Sequence, residues 1–145
     1  MNIEKVSHYA VVFIAVLALF VSIWQVRVGH RHNQLSVKPY LDFHIDQSDS
    51  SLLVSFSNEG FGPAIIKELT FEYEGVTYPR LETYLKATGE LDNVRHMYNY
   101  SPNTIVASGS EKLLVKLKGS DVRGVKVRMK YEDIYKKQDE FQFTF

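Results

Sequence analysis

A chain of 145 residues has room for one domain and an appendage, but not for two independent cores. It contains no cysteine, which excludes disulfide bridges, thiolate metal sites and a cysteine nucleophile. Its 17 basic and 17 acidic residues cancel, so no whole-molecule field draws it to nucleic acid, no DNA partner is expected, and any electrostatic function must come from a local patch.

Residues 1–5 read as an N-terminal tail. The 21 positions 6–26, VSHYAVVFIAVLALFVSIWQV, hold no Asp, Glu, Lys or Arg. As a helix they span roughly 32 Å, about one hydrocarbon core, which predicts a transmembrane helix. Tyr9 and Trp24 lie near its ends, at headgroup level, and Arg27 closes it. No small-x-small cleavage site follows the apolar stretch, so the segment reads as an uncleaved anchor. Arg27, Arg31 and Lys38 follow the helix while Lys5 and the amino terminus precede it, a modest bias by which the positive-inside rule favours a cytoplasmic C-terminal domain.

One face of this helix gathers Ala15, Ala18, Ser22 and Gln25 at three-four spacing, continuing to His8 and Val11 at one end and Gly29 at the other. Small residues let membrane helices approach and a Gln can hydrogen-bond across, so this seam is a candidate for self-association into a homo-oligomer. The plainer reading is that Ala and Ser are ordinary in membrane helices and Gln25 rests at the interface.

Residues 27–37 read as a polar juxtamembrane linker, and Pro39 ends any helix that continues into it. A β-rich domain is expected over 38–145. Leu41, Phe43 and Ile45 alternate with Asp42, His44 and Asp46, and Leu52, Val54 and Phe56 with Leu53, Ser55 and Ser57, on either side of the turn DQSDS. After the turn NEGFGP, Pro63 leads a strand with Ile66, Leu69, Phe71 and Tyr73 inward. The change of face between Ile66 and Leu69 predicts a bulge near Lys67. Glu74-Gly75 reads as a hairpin turn into VTYP.

Residues 80–103 break the alternation. Leu81 and Leu85, then Leu91, Val94 and Tyr98, have helical spacing interrupted by Gly89, which predicts two short helices or an ordered loop. Strands resume with Leu113, Val115 and Leu117, then Val125, Val127, Met129 and Tyr131, and finally Phe141, Phe143 and Phe145. About seven short strands predict a mainly β fold, an antiparallel immunoglobulin-like sandwich with a short helical insertion near 80–103. The ending FQFTF is expected to be a sheet strand whose truncation unfolds the domain.

The strings SVKPYL, SNEGFGPAIIK and YEDIY resemble those of small bacterial single-pass membrane proteins of unknown function, in which a helix precedes an immunoglobulin-like domain. The resemblance covers residues 36–145 and implies the bacterial inner membrane. That pattern has a glycine after the last Tyr of YEDIY, where this chain has Lys136. The order of parts, a membrane segment followed by a cytosolic β-domain, is also similar to membrane effectors of type III CRISPR antiviral defence that bind cyclic oligoadenylates.

Two groups of residues carry candidate chemistry. Lys116 and Lys118, with Lys126, Arg128 and Lys130, are outward positions on two strands expected to be adjacent. They would form a basic patch for an anion or lipid headgroup, unless Glu68, Glu72 and Glu74 pair with them. Asn93, Arg95, His96, Tyr98, Asn99 and Tyr100 combine stacking rings, a phosphate-pairing guanidinium and adenine-reading amides, and form the candidate ligand site. Their alternative role is to cap the sandwich. His30 and His32 have chelating spacing but no third ligand nearby, so neither a metal nor a cofactor is expected. No nucleophile elbow or phosphate-binding loop is present in the sequence.

The expected function is therefore a non-enzymatic membrane-anchored sensor. Its cytosolic β-domain would bind an anionic ligand, a cyclic oligonucleotide among the options, and alter an oligomer of membrane helices. The alternative is a membrane-tethered module that docks a protein partner and binds no small molecule.

Overall fold

The computed structural model describes residues 3–119 and 124–144. The chain divides into two units, one ending at Ser36 and the other beginning at Val37. The first is a single helix, α1, Ile3–Ser36, long and apolar enough to cross a membrane. Phe20 and Trp24 are 68% and 71% exposed along it, as lipid-facing side chains would be. The region expected as a polar linker is helical up to Ser36, because nothing between Arg27 and Ser36 breaks a helix strongly enough. The chain becomes non-helical just before Pro39.

The second unit is an antiparallel β-sandwich of nine strands among the described residues. They are β1 Leu41–Ser48, β2 Ser51–Asn58, β3 Ala64–Tyr73, β4 Val76–Tyr78, β5 Val94–Met97, β6 Thr104–Val106, β7 Glu111–Leu117, β8 Lys126–Glu132 and β9 Gln138–Thr144. A helix, α2 Leu81–Thr88, lies between β4 and β5. One sheet has the order β1-β2-β7-β5 and the other β4-β3-β8-β9, with β6 also paired to β3. This is the strand arrangement of an immunoglobulin sandwich, with A-B-E-D in one sheet and C-F-G in the other, widened by β4 beside C.

The inner faces meet in one core. Phe56, Phe71, Leu114, Leu117, Val127 and Met129 are nearly inaccessible within it. Phe43 of β1 stacks on Phe141 and Phe143 of β9, with ring centroids 5.7 and 5.6 Å away, and so joins the two sheets. Phe145, expected in the same strand, lies outside the described residues.

The bulge expected near Lys67 is present: pairing with β8 shifts between Ile66 and Glu68. Glu74 and Gly75 form the tip of the β3–β4 hairpin, both at positive φ of 49° and 79°, as a two-residue turn of the I′ type requires. Two strands exceed expectation, and both fall in or beside the inserted segment. Its first half is helical as expected, but Leu91–Asn93 is only a single 3-10 turn and Val94–Met97 is strand β5. The spacing of Leu91, Val94 and Tyr98 does not mark a helix: Leu91 and Tyr98 are exposed, and a second bulge, where pairing of β5 with β7 slips between Val94 and His96, places Val94 and Met97 against the core.

Further differences have the same kind of cause. The register between β2 and β7 shifts beside Val54 and Ser55, which turns Leu114 into the core and leaves Leu113 half-buried on the outer face. Ile45, expected inside, is 39% exposed. The two basic strands are not neighbours at all: β7 belongs to one sheet and β8 to the other.

A cleft where one sheet edge is open

β3 is ten residues long, but on the edge away from β8 only its ends have neighbours. β6 pairs with Ala64–Ile66 and β4 with Phe71–Tyr73, and residues 67–70 between them face no strand among the described residues. The chain leaving β4 creates the gap. Pro79 has no N–H with which to extend the ladder, and Arg80 begins α2. The helix then turns Leu81, Tyr84 and Leu85 into the core, where Tyr84 stacks on Phe71 at 6.2 Å. Gly89, left-handed at φ 77°, ends it and redirects the chain toward the other sheet.

A cleft of about 480 Å³ occupies this gap. Buried Ile66, Phe71, Leu81 and Leu114 supply an apolar floor, while Lys67, Glu68, Thr70 and Arg80 line it together with the segment Tyr98–Pro102. Its size and its mixture of apolar floor and few polar groups match those of ordinary ligand sites, which hold about 300–1,000 Å³.

Most charges around it are already neutralised. Lys67 Nζ lies 2.6 Å from Glu132 and donates a 2.8 Å hydrogen bond to Asn103 Oδ1. Glu68 pairs with Lys130 at 2.7 Å, a hydrogen bond that raises the lysine's pKa. Arg80 differs: its guanidinium is exposed and makes no hydrogen bond or ion pair with any described residue.

The candidate ligand residues divide into two sets. Tyr98, Asn99 and Tyr100 line the cleft. Tyr100 has a structural task there, since its hydroxyl donates 2.6 Å to the Leu113 carbonyl and its ring meets Phe56 edge-on at 5.2 Å. Burial, and secondarily Tyr98, raises the Tyr100 phenol pKa. Tyr98 is 53% exposed, with its N–H held by the Leu114 carbonyl at 3.0 Å. Asn93, Arg95 and His96 are not among the residues lining the cleft. Asn93 Nδ2 donates 2.8 Å to Glu90, and exposed Arg95 and His96 sit on β5, His96 opposite Lys116. Sequence reasoning missed Arg80 and Thr70, although the bulge it located at Lys67 marks the edge where the cleft forms.

The expected basic patch separates in the same way. Arg128 lies 3.2 Å from Glu140 and 3.8 Å from Glu72, and Lys130 pairs with Glu68, so two of the three acidic residues named as possible partners do pair. Lys116 is on the other sheet with Lys118 just beyond the end of its strand, and Lys126 is on β8.

Chemically the cleft offers binding groups. Among the described residues lining it no hydroxyl is paired with a carboxylate or an imidazole, and the Lys67 amine is held in its ion pair with Glu132. Elsewhere His44 Nε2 lies 2.7 Å from Ser57 Oγ, but that hydroxyl donates its proton to Glu59 at 2.6 Å, the opposite polarity to an activated serine. Among the described residues no three His, Cys, Asp or Glu side chains gather as metal ligands.

No family model matches the chain, and no curated protein matches it. Among solved structures it is similar to the archaeal flagellum of Methanospirillum hungatei strain JF1. The identity is 14%, the match covers 100% of this chain and 94% of that one, and the TM-score is 0.31. A likeness this low leaves both fold and function to be argued from the chain itself.

Proposed function

We propose that this chain is a non-enzymatic, membrane-anchored binding module: α1 spans the bacterial inner membrane once, the β-sandwich stands in the cytoplasm, and the cleft beside β3 receives a protein partner. The observation that carries this reading is a cavity of ligand-site size with an apolar floor and, at its rim, an arginine whose guanidinium pairs with none of the described residues. The basic residues Arg27, Arg31 and Lys38 that follow the apolar stretch 6–26 support the orientation. A protein partner is favoured over a free anion because the basic residues that would have gathered an anion are divided between two sheets, and two of them, Arg128 and Lys130, are paired with glutamates.

Arg80 with Tyr98 on the same cleft favours a second reading, in which the occupant is an anionic ring-bearing molecule such as a cyclic oligonucleotide. In either case a response in the membrane would run through self-association of α1 along Ala15, Ala18, Ser22 and Gln25. It requires an occupant that favours one helix arrangement over another, since equal affinity shifts nothing.

A photo-crosslinking amino acid placed at Asn99 in the full chain tests the proposal in cells, with the same residue at Gln142 as control. A discrete protein adduct at Asn99 that is absent at Gln142 is expected. A cyclic nucleotide bound by the full chain in nanodiscs, with no protein adduct, would transfer the function to the second reading. The absence of both a protein adduct and nucleotide binding overturns the model, as does digestion of the β-domain by protease added outside spheroplasts.

A further inference from the structure

The cleft has a feature that neither reading uses. In the β3–β4 hairpin, Tyr73 and Val76 flank the two-residue turn and exchange backbone hydrogen bonds. The antiparallel alternation then directs the N–H and C=O of Tyr73, Phe71 and Leu69 to the same edge of β3. Tyr73 and Phe71 meet β4. Leu69 points both groups into the gap, where no strand among the described residues pairs with it. The interval opposite 67–70 is four residues long, roughly 13 Å of extended chain.

We infer that this gap is an acceptor slot for an extended polypeptide segment of the partner, which adds a short strand between β6 and β4 and pairs with Leu69. This rests on the cleft being a protein-binding site and specifies the partner's chemistry. Backbone groups at a sheet edge are complemented by another backbone, which is the logic of strand addition. The residue opposite Leu69 shares its face and turns toward the apolar floor of Ile66, Phe71 and Leu114, so a Val or Ile is selected there. The residues on either side of it point outward. Because Lys67 and Glu68 are already neutralised and Arg80 is not, an acidic side chain is selected at one of them. The recognised pattern is an apolar residue with an acidic neighbour on one side, and a peptide with Glu on both sides of Val presents it in either direction.

The test uses the full chain in lipid nanodiscs and the capped pentapeptide Thr-Glu-Val-Glu-Thr. Its companions are the analogues with both Glu changed to Gln or to Lys, and the Glu peptide N-methylated at Val. The Glu peptide should bind about tenfold more tightly than the Gln peptide. Arg80→Gln should remove that difference, N-methylation should remove binding, and the Leu69 amide should exchange more slowly with solvent when the Glu peptide is present. No binding by any peptide, indifference to N-methylation, or an unchanged Leu69 amide overturns strand addition. Equal binding of the Glu and Lys peptides overturns the acidic specificity. A protein adduct at Asn99 alongside these negative results would leave the binding module standing and remove only the added strand.

Discussion

Asn58 holds Tyr40 in place: its Oδ1 accepts the Tyr40 N–H at 3.1 Å and the Gly60 N–H at 3.0 Å, while its Nδ2 donates to the carbonyls of Gly62 at 2.8 Å and Val106 at 3.0 Å. The side chain is wholly buried and all four bonds are internal, so one amide ties the start of β1, the NEGFGP turn and β6 together. Only an amide carries two acceptor sites and two donors.

Asn58→Ala is expected to destabilise the β-domain by about 3 kcal/mol or more, because it leaves buried N–H and C=O groups without partners. Asn58→Asp should fare no better, since a carboxylate would face two carbonyl oxygens. Urea unfolding of the full chain in detergent, followed by far-UV circular dichroism, measures both.

The same turn explains its glycines. A Cβ at Gly62 would collide with the backbone carbonyl of Val37, and one at Gly60 with the backbone at Lys38 and Tyr40. Gly62→Ala should therefore cost about 3 kcal/mol or more. Gly75 has open space around it and needs only its positive φ, so Gly75→Asn should cost well under about 1 kcal/mol. Comparing thermal midpoints of the two variants separates close approach from conformational freedom.

Lys136 occupies a left-handed position, φ 62°, in the β8–β9 turn. The turn is held by Asp133, whose Oδ1 accepts the N–H groups of Tyr135 and Lys137 at 2.8 and 2.9 Å. An L side chain is strained there, so Lys136→Gly should stabilise the domain by roughly 0.5–1 kcal/mol. A lower unfolding midpoint for the variant would contradict this.

Phe43→Ala should cost about 3–5 kcal/mol, since it empties the space between β1 and the Phe141 and Phe143 rings. Removing residues from Gln138 onward takes away β9 together with both rings and should abolish the folded β-domain. Limited proteolysis of the full and shortened chains distinguishes these outcomes.

Alkaline pH should unfold the domain through two tyrosines. Burial, with Tyr73 nearby, pushes the Tyr84 phenol from 10.0 up to about 12. Burial, with Asp139 nearby, does the same to Tyr131. The folded state prefers the neutral phenols, so this contribution to stability is complete below pH 10 and disappears as pH rises from about 10 to 12. Tyr84→Phe should flatten that decline, as read from unfolding midpoints at several pH values.

Local signals in the chain settled a good deal. The charge-free run 6–26 is legible as a span from composition, because transfer into hydrocarbon depends on the side chains themselves. Alternation and turn signals marked seven strands and most of their core faces, Ile45 and Leu113 excepted, because side-chain direction along a regular strand depends on the residue's own backbone. Even the bulge at Lys67 could be read from the change of face at Leu69. The matching bulge in β5 could not, because Leu91, Val94 and Tyr98 have helical spacing and the slip between Val94 and His96 exists only once β7 is beside them. Long-range pairing likewise decided that β7 and β8, consecutive strands with similar basic faces, belong to opposite sheets. It also decided that Arg80, unremarkable in the sequence, stands at an open edge beside Tyr98 and Asn99. Period and composition are properties of neighbours along the chain, whereas a cleft is made of residues that meet only after the sheets close.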